Sequence, residues 1–183
     1  SVTSVGSEAS VGGVCGYNGS GSTIRNCYNT GAVNGKNDGN GYFYAGGVCG
    51  NNQTTGSPNT IENCYNTGSV TVSVTGSVTG SGYDNIYAGG VCGNSVSYYN
   101  TVEVTITDCY NTGSVTVSVT GSSNGNICAG GVCGSAYRTT ITNCYNTGDV
   151  TGSGTGVQYL YVGGVCGYNN CATITNCYNS GSV

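Results

Sequence analysis

Two stretches of the chain alternate apolar and hydroxyl-bearing residues. Both read Ser-Val-Thr-Val-Ser-Val-Thr-Gly-Ser, at residues 69–77 and 114–122. Because side chains along a β-strand point alternately to opposite faces, the pattern predicts strands with valine on one face and threonine or serine on the other. No apolar run approaches the roughly 18 residues that a membrane-spanning helix needs, so membrane insertion is not expected.

The apolar positions belong to a repeat of two blocks that occurs five times. The first block, Gly-Gly-Val-Cys-Gly, lies at 12–16, 46–50, 89–93, 130–134 and 163–167. The second block is built around Asn-Cys-Tyr-Asn-Thr-Gly and lies at 26–31, 63–68, 108–113, 143–148 and 176–181. An isoleucine stands three residues before each second-block cysteine, and a valine closes each block. The regularity indicates repeated copies of one structural unit.

Successive first-block cysteines are 34, 43, 41 and 33 positions apart, so a basic unit has been lengthened in two copies. One unit cannot bury an apolar face alone, whereas stacked units form a continuous core. We therefore predict an all-β fold, a disulfide-stapled β-solenoid (β-helix) of five stacked repeats in a single array over 1–183. A propeller of short blades is the alternative. The predicted units are approximately 1–33, 34–70, 71–115, 116–150 and 151–183.

Composition supports strands and excludes several classes of function. Only 5% of the residues are charged, and the net charge is −4 with three basic residues, which leaves no positive surface for nucleic acid. Histidine is absent, so a Ser-His-Asp or Cys-His catalytic arrangement is excluded. The seven carboxylates are scattered; only Glu62 and Asp108 fall near equivalent places in adjacent units. We expect no enzyme activity, no cofactor and no metal site.

Twelve cysteines are an even number, which is typical of disulfides formed in an oxidising compartment. We expect a secreted or cell-surface protein. Each unit contributes one cysteine per block, giving the sets Cys15 and Cys27, Cys49 and Cys64, Cys92 and Cys109, Cys133 and Cys144, and Cys166 and Cys177. Bridging within a unit is the simplest pairing, a ladder between neighbouring units is the rival, and buried free thiols are a third reading.

Two cysteines depart from the repeat. Cys128 stands where other units have Tyr44, Tyr87 and Tyr161, and Cys171 lies between the two blocks of the last unit. If the other ten are paired among themselves, a bridge between these two remains. It would join the fourth unit to the fifth.

The two blocks together resemble the GLUG repeat. The residues that carry the resemblance are Gly-Gly-Val-Cys-Gly-Tyr-Asn, followed by Thr-Ile-x-Asn-Cys-Tyr-Asn-Thr-Gly-x-Val. That repeat occurs in large bacterial surface proteins, including adhesins and non-catalytic regions of secreted peptidases. The resemblance covers nearly the whole chain and implies a β-rich array at the cell surface, with no catalytic residue to transfer. The usual pattern has aliphatic residues or serine where this chain has cysteine.

Other repeated residues are expected to form columns along the stack. Tyrosine rings would stack, and asparagine amides would form a hydrogen-bonded ladder. We expect positive φ at each Gly-Gly and at the glycine after each Asn-Thr. The predicted columns are Tyr28, Tyr65, Tyr110, Tyr145 and Tyr178, and Asn29, Asn66, Asn111, Asn146 and Asn179.

The sequence favours a non-catalytic structural or adhesive role. The terminal residues are in phase with the repeat, which predicts either a head-to-tail fibre of identical copies or a segment of a longer stalk. A glycan or host surface is a possible partner. Ice binding through the rows Thr71, Ser73, Thr75 and Thr116, Ser118, Thr120 is one alternative, and a β-helix that binds or cleaves polysaccharide is another.

Overall fold

A computed structural model describes residues 1–6, 8–39, 41–75 and 84–183, and these residues form 23 β-strands and no helix. Accordingly, no helix in the described ranges could cross a membrane. We group the strands into five coils in chain order. The first coil contains β1 (Val2–Val5), β2 (Ala9–Gly12), β3 (Cys15–Asn18), β4 (Thr23–Arg25) and β5 (Tyr28–Asn29). The second contains β6 (Val33–Asn37), β7 (Phe43–Gly46), β8 (Cys49–Thr54), β9 (Asn59–Glu62) and β10 (Tyr65–Asn66).

The remaining coils repeat this order. The third contains β11 (Val70–Thr75), β12 (Ile86–Gly89), β13 (Cys92–Ser97), β14 (Val104–Thr107) and β15 (Tyr110–Asn111). The fourth contains β16 (Val115–Gly130), β17 (Cys133–Tyr137), β18 (Thr140–Thr142) and β19 (Tyr145–Asn146). The fifth contains β20 (Val150–Gly163), β21 (Cys166–Asn170), β22 (Thr173–Thr175) and β23 (Tyr178–Asn179). In the last two coils one long strand replaces the first two strands of the earlier coils.

Every coil pairs with the next in parallel, and equivalent residues stand opposite one another. In the second sheet, which is made of β3, β8, β13, β17 and β21, the first-block cysteines are Cα partners from coil to coil. The third sheet (β4, β9, β14, β18, β22) and the fourth (β5, β10, β15, β19, β23) pair in the same way. The arrangement is therefore all-β and solenoid-like, and the all-β prediction is confirmed.

The first sheet is nearly closed on itself. Its order is β1-β6-β11-β16-β12-β7-β2, with β20 also paired to β16. The beginning of β16 pairs with β11 and its end pairs with β12, so one long strand belongs to both halves of the sheet. The two halves enclose an apolar core that includes Val72, Val74, Phe43 and Ile86. A second core lies inside the other three sheets and is formed by valines, isoleucines and most of the cysteines.

The alternating pattern behaves as predicted in β11. Val70, Val72 and Val74 are fully buried, and the residues between them are half-buried. Burying one valine side chain is worth about 1.5–3 kcal/mol, so the apolar face holds the strand in register. The last two residues of the first alternating stretch, 76 and 77, lie outside the described residues.

The prediction of positive φ at the repeated glycines is wrong. Within the described ranges, the glycines with positive φ are Gly21, Gly41, Gly121 and Gly156. The left-handed conformation falls instead on the residue before each second-block cysteine, because asparagine and aspartate tolerate it. These residues are Asn26, Asn63, Asp108, Asn143 and Asn176.

Close approach explains the Gly-Gly pair instead. A Cβ added at Gly90 would collide with the carbonyl oxygen of Gly131 in the next coil and with the side chain of Asn111 in its own coil. Gly47 and Gly131 meet the equivalent atoms. Glycine is required here because the next coil is only one strand spacing away and the asparagine fills the corner, which leaves no room for a side chain.

We therefore expect Gly90→Ala to lower the free energy of unfolding by about 2 kcal/mol or more, since overpacking forces the backbone apart. Gly56→Ala is the matched control, because nothing lies within 4 Å of a Cβ there. Urea denaturation followed by circular dichroism measures both variants. Equal stability of the two would contradict the close-approach explanation.

Candidate functional site: side-chain columns and a tyrosine groove

Ten cysteines form two columns that run the length of the stack. The first column contains the first-block cysteines, and neighbouring thiols hydrogen-bond along it, with Cys49 between Cys15 and Cys92. The second column contains the second-block cysteines, where the amides of Cys64 and Cys144 each donate to the Sγ of the next cysteine at 3.4 Å. Both columns border the same apolar core.

Burial and hydrogen bonding shift the pKa values of these thiols, and the direction differs from one cysteine to the next. Burial raises the pKa of Cys92 well above its ordinary value. Hydrogen bonds from Cys166 and Cys92 lower the pKa of Cys133 to about 5. A hydrogen bond from Cys109 likewise lowers the pKa of Cys64 to about 7. Both kinds of thiol donate to the backbone carbonyl two residues ahead, as Cys92 does to Asn94 and Cys133 does to Ser135, each at 3.0 Å.

All twelve cysteines are free thiols in the structure, so the stapling stays a prediction. Neighbouring coils lie about 4.8 Å apart, within the Cα separation of about 4.4–6.8 Å that a disulfide tolerates. Each column holds five members, however, and an odd number cannot pair completely along the column. Pairing between the two columns, within each unit, uses all ten.

Cys128 and Cys171 lie in unlike surroundings. Cys128 is completely buried in β16, where its Cα partners are Tyr87 and Tyr161, and burial raises the pKa of its thiol. Cys171 is exposed just after β21 and lines a surface cavity with Tyr99 and Arg138. The bridge predicted between these two cysteines stays a prediction.

The repeated tyrosines stack as a column on the surface. Successive ring centroids along Tyr28, Tyr65, Tyr110, Tyr145 and Tyr178 are 5.0, 4.9, 4.9 and 5.1 Å apart, and the ring planes differ by only 2–5°. Offset stacking of this kind contributes about 1 kcal/mol per pair beyond burial.

The repeated asparagines form a buried amide ladder. Nδ2 of each asparagine donates to Oδ1 of the equivalent asparagine in the next coil, at 2.8, 2.8, 2.7 and 2.7 Å from Asn29 to Asn179. The same nitrogen donates to the glycine carbonyl two residues ahead, as Asn111 does to Gly113 at 2.6 Å. The ladder thus ties each coil both to its own corner and to its neighbour.

The carboxylates singled out in the sequence do not form a pair. Glu62 accepts a hydrogen bond from Arg25 at 2.8 Å, and Thr107 is the Cα partner of Glu62 in the next coil. Asp108 instead accepts a hydrogen bond from Asn143 at 3.1 Å. Nor do histidine, cysteine, aspartate and glutamate form a group of three or more suited to a metal ion within the described ranges.

The structure also contains a groove that sequence reasoning missed. The outer faces of β7 and β12 meet the outer face of the second sheet in a concave surface, which leaves a cavity of about 210 Å³. We call this the tyrosine groove, and its rings are Tyr42, Tyr44, Tyr87, Tyr98, Tyr137 and Tyr168.

Polar side chains complete the groove. The amide of Asn94 donates to Asn51 at 3.0 Å, and Asn51 donates to Gln53 at 3.2 Å. Toward the first coil the groove continues into a cavity of about 340 Å³ that shares Tyr42 and Tyr44. Tyrosine at positions 44, 87 and 161 was visible as a recurring residue, but nothing in the sequence shows that it faces the second sheet.

Comparison with known proteins identifies one family. The family described as "The GLUG motif" matches residues 7–34, 41–71, 125–151 and 158–183, which is more than half of the chain. No curated protein and no solved structure matches the chain. Nearly all of the third coil lies between the second and third matched segments, yet its strands pair in the same register as the others.

Removal of one amide from the ladder should lower the stability of the fold. Asn111→Ala leaves the buried amide of Asn66 without its acceptor and takes the donor from Asn146. We expect the free energy of unfolding to fall by about 2–4 kcal/mol, because each unpaired buried polar group costs about 1–3 kcal/mol. The measurement is urea denaturation, with exposed Asn100→Ala as the control. A loss of under about 0.5 kcal/mol in Asn111→Ala would show that the ladder does not stabilise the stack.

Proposed function

Because the chain belongs to the GLUG-motif family, we propose that it is a non-catalytic structural segment of an extracellular, cell-surface protein. In this role it is a stiff, adhesive β-solenoid array whose coils are stapled by disulfides. The observation that carries the proposal is the unbroken asparagine ladder, which joins all five coils by the same contact. A chain held together at every level by one repeated interaction resists local opening.

The cysteine columns support an extracellular location. Ten aligned cysteines bordering one core are suited to bridging in an oxidising environment, where such bonds form and persist. A bridge closing a loop of about 15 residues is worth about 3 kcal/mol in the chain-entropy model. Within-unit bridges would offset the ordering cost of a glycine-rich chain.

Open sheet edges support continuation of the array. In the second sheet β3 and β21 each pair on one side only within the described residues, and the third and fourth sheets end in the same way. Such edges accept another strand in the same register. Either neighbouring repeats of a longer stalk or a second copy in a head-to-tail fibre would pair with these edges. A head-to-tail contact joins two different surfaces of the chain, so it would repeat from copy to copy and form a fibre.

The test is mechanical unfolding of single molecules held by their ends, with and without reductant. We expect the oxidised chain to release less length than the reduced chain, by about 3.5 Å for each residue held inside a bridge. A peptide map without reduction identifies the pairs, and we expect Cys49–Cys64 and its four equivalents.

The double variant Cys92→Ser with Cys109→Ser provides the control, because it should restore only the length of the loop between these two cysteines. Release of the full length from the oxidised wild type would contradict the stapled array. A peptide map that contains a bridge between Cys49 and Cys92 would show that the cysteines pair between neighbouring units and not within each unit.

A second candidate function, ice binding, is favoured by the register of the first sheet. The hydroxyl rows of β11 and β16 continue into β20, where Thr151, Ser153 and Thr155 are Cα partners of the β16 row. The result is a grid of three by three hydroxyl-bearing residues, with neighbouring rows about 4.8 Å apart. A flat, regular set of hydroxyls can order water into a lattice.

For this candidate we expect thermal hysteresis at millimolar protein, and its loss in Ser118→Tyr, which places a bulky ring at the centre of the grid. Thr105→Tyr changes a half-buried threonine of the third sheet and should leave hysteresis unchanged. Measurement of the freezing-point difference and of crystal shape decides the matter. Absence of hysteresis in the wild type would remove ice binding from consideration.

A further inference from the structure

We propose that the tyrosine groove binds a linear, neutral polysaccharide built of hexopyranose rings. The inference rests on the proposed adhesive role and names its ligand class. Flat tyrosine faces, amide side chains and a lack of charge meet in one concave surface that runs along the stack.

The aromatic faces provide the apolar part of such a site. Tyr42 and Tyr44 stack with ring centroids 5.9 Å apart, and Tyr44 and Tyr87 follow at 5.7 Å in adjacent coils. A hexopyranose ring has an apolar C–H face that packs on a flat aromatic ring, and a rim of hydroxyls that needs hydrogen-bonding partners. At the far end Tyr161 of the first sheet contacts Tyr168 of the second sheet, with ring centroids 5.1 Å apart and ring planes tilted by 44°.

The polar part comes from amides and hydroxyls. Asn85, Asn94 and Asn170 line the groove together with Ser135. Each amide has two donor hydrogens and an acceptor oxygen, which is the mixed set that sugar hydroxyls require. The hydrogen bond between Asn94 and Asn51 fixes the orientation of both amides before a ligand arrives.

The charge of the lining selects for a neutral ligand. Of the described residues that line the groove and its continuation, Glu8 is the single charged side chain. Burial raises the pKa of Tyr44 and of Tyr87, so both phenols stay neutral throughout the physiological range. Arg138 lies at the rim, 4.6 Å from the centroid of Tyr137. A uronate or sulfated chain would find no row of cations to pair with its charges.

The shape of the groove favours a repeating polymer over a peptide strand. The groove crosses the faces of the sheets from the second coil to the fifth, so it offers no free strand edge for backbone pairing. Equivalent positions recur at the strand spacing of about 4.8 Å, which is close to the length that one sugar adds to an extended chain. A linear polysaccharide therefore presents a new ring at nearly every coil.

The test is titration calorimetry of the full chain with cellohexaose and mannohexaose, which are neutral, and with hexagalacturonate, which is charged. We expect binding of at least one neutral hexamer. We expect Tyr44→Ala and Tyr98→Ala each to weaken it by about tenfold, as loss of one stacking face predicts. Tyr44→Phe should bind nearly as tightly as wild type, since it keeps the ring.

Tyr28→Ala is the matched control, because Tyr28 is 59% exposed and belongs to the tyrosine column outside the groove. No heat from either neutral hexamer at millimolar concentration would overturn the proposal. So would equal affinity for hexagalacturonate, or the same loss in Tyr28→Ala. Urea denaturation checks that each variant is folded.

Sedimentation equilibrium of the same variants tests whether a second copy of the chain occupies the groove instead of a sugar. Self-association abolished by Tyr98→Ala would show that the groove is an interface between copies and would overturn sugar binding. The mechanical test of the array is independent of any sugar. A stapled chain that binds no glycan and an unstapled chain that binds one are therefore distinguishable outcomes.

Discussion

Parallel, in-register pairing of each coil with the next is the constraint on which the rest of the structure depends. It places each paired strand residue about one strand spacing from its partner in the neighbouring coil. Identical side chains are then forced together, which is favourable only for residues that interact well with copies of themselves. Asparagine donates and accepts, tyrosine stacks, and valine packs, so these residues recur. A charged residue would meet a like charge, and charged residues make up only 5% of the chain.

The same constraint explains why glycine is placed where it is. The corner between the first and second sheets brings Gly90 against a carbonyl of the next coil and against Asn111, a member of the ladder. The amide ladder and the second glycine of each Gly-Gly pair are therefore in direct contact. A side chain at Gly90 would collide with the asparagine, and a side chain at Gly89 would collide with the carbonyl of Cys92, so the corner requires both glycines.

The two faces of the stack differ in kind. Inside the second core, equivalent residues are the same and form continuous columns of valine, isoleucine and cysteine. Outside, along the groove, equivalent positions carry different residues: the row of the second sheet reads Tyr17, Asn51, Asn94, Ser135 and Tyr168. Repetition maintains the scaffold, and variation at outward positions of that scaffold gives each coil its own surface chemistry.

The sequence alone determined the all-β class, the repeating unit, the family and the residues that form the tyrosine and asparagine columns. It could do so because parallel stacking turns periodicity in the chain directly into adjacency in space. Only the tertiary structure decided which backbone positions are left-handed, since Asn26 and its equivalents take a conformation that the sequence assigned to glycine. It alone revealed the tyrosine groove, because that surface depends on the angle at which two sheets meet. An angle between sheets arises from the packing of two separate cores, and no local pattern of residues encodes it.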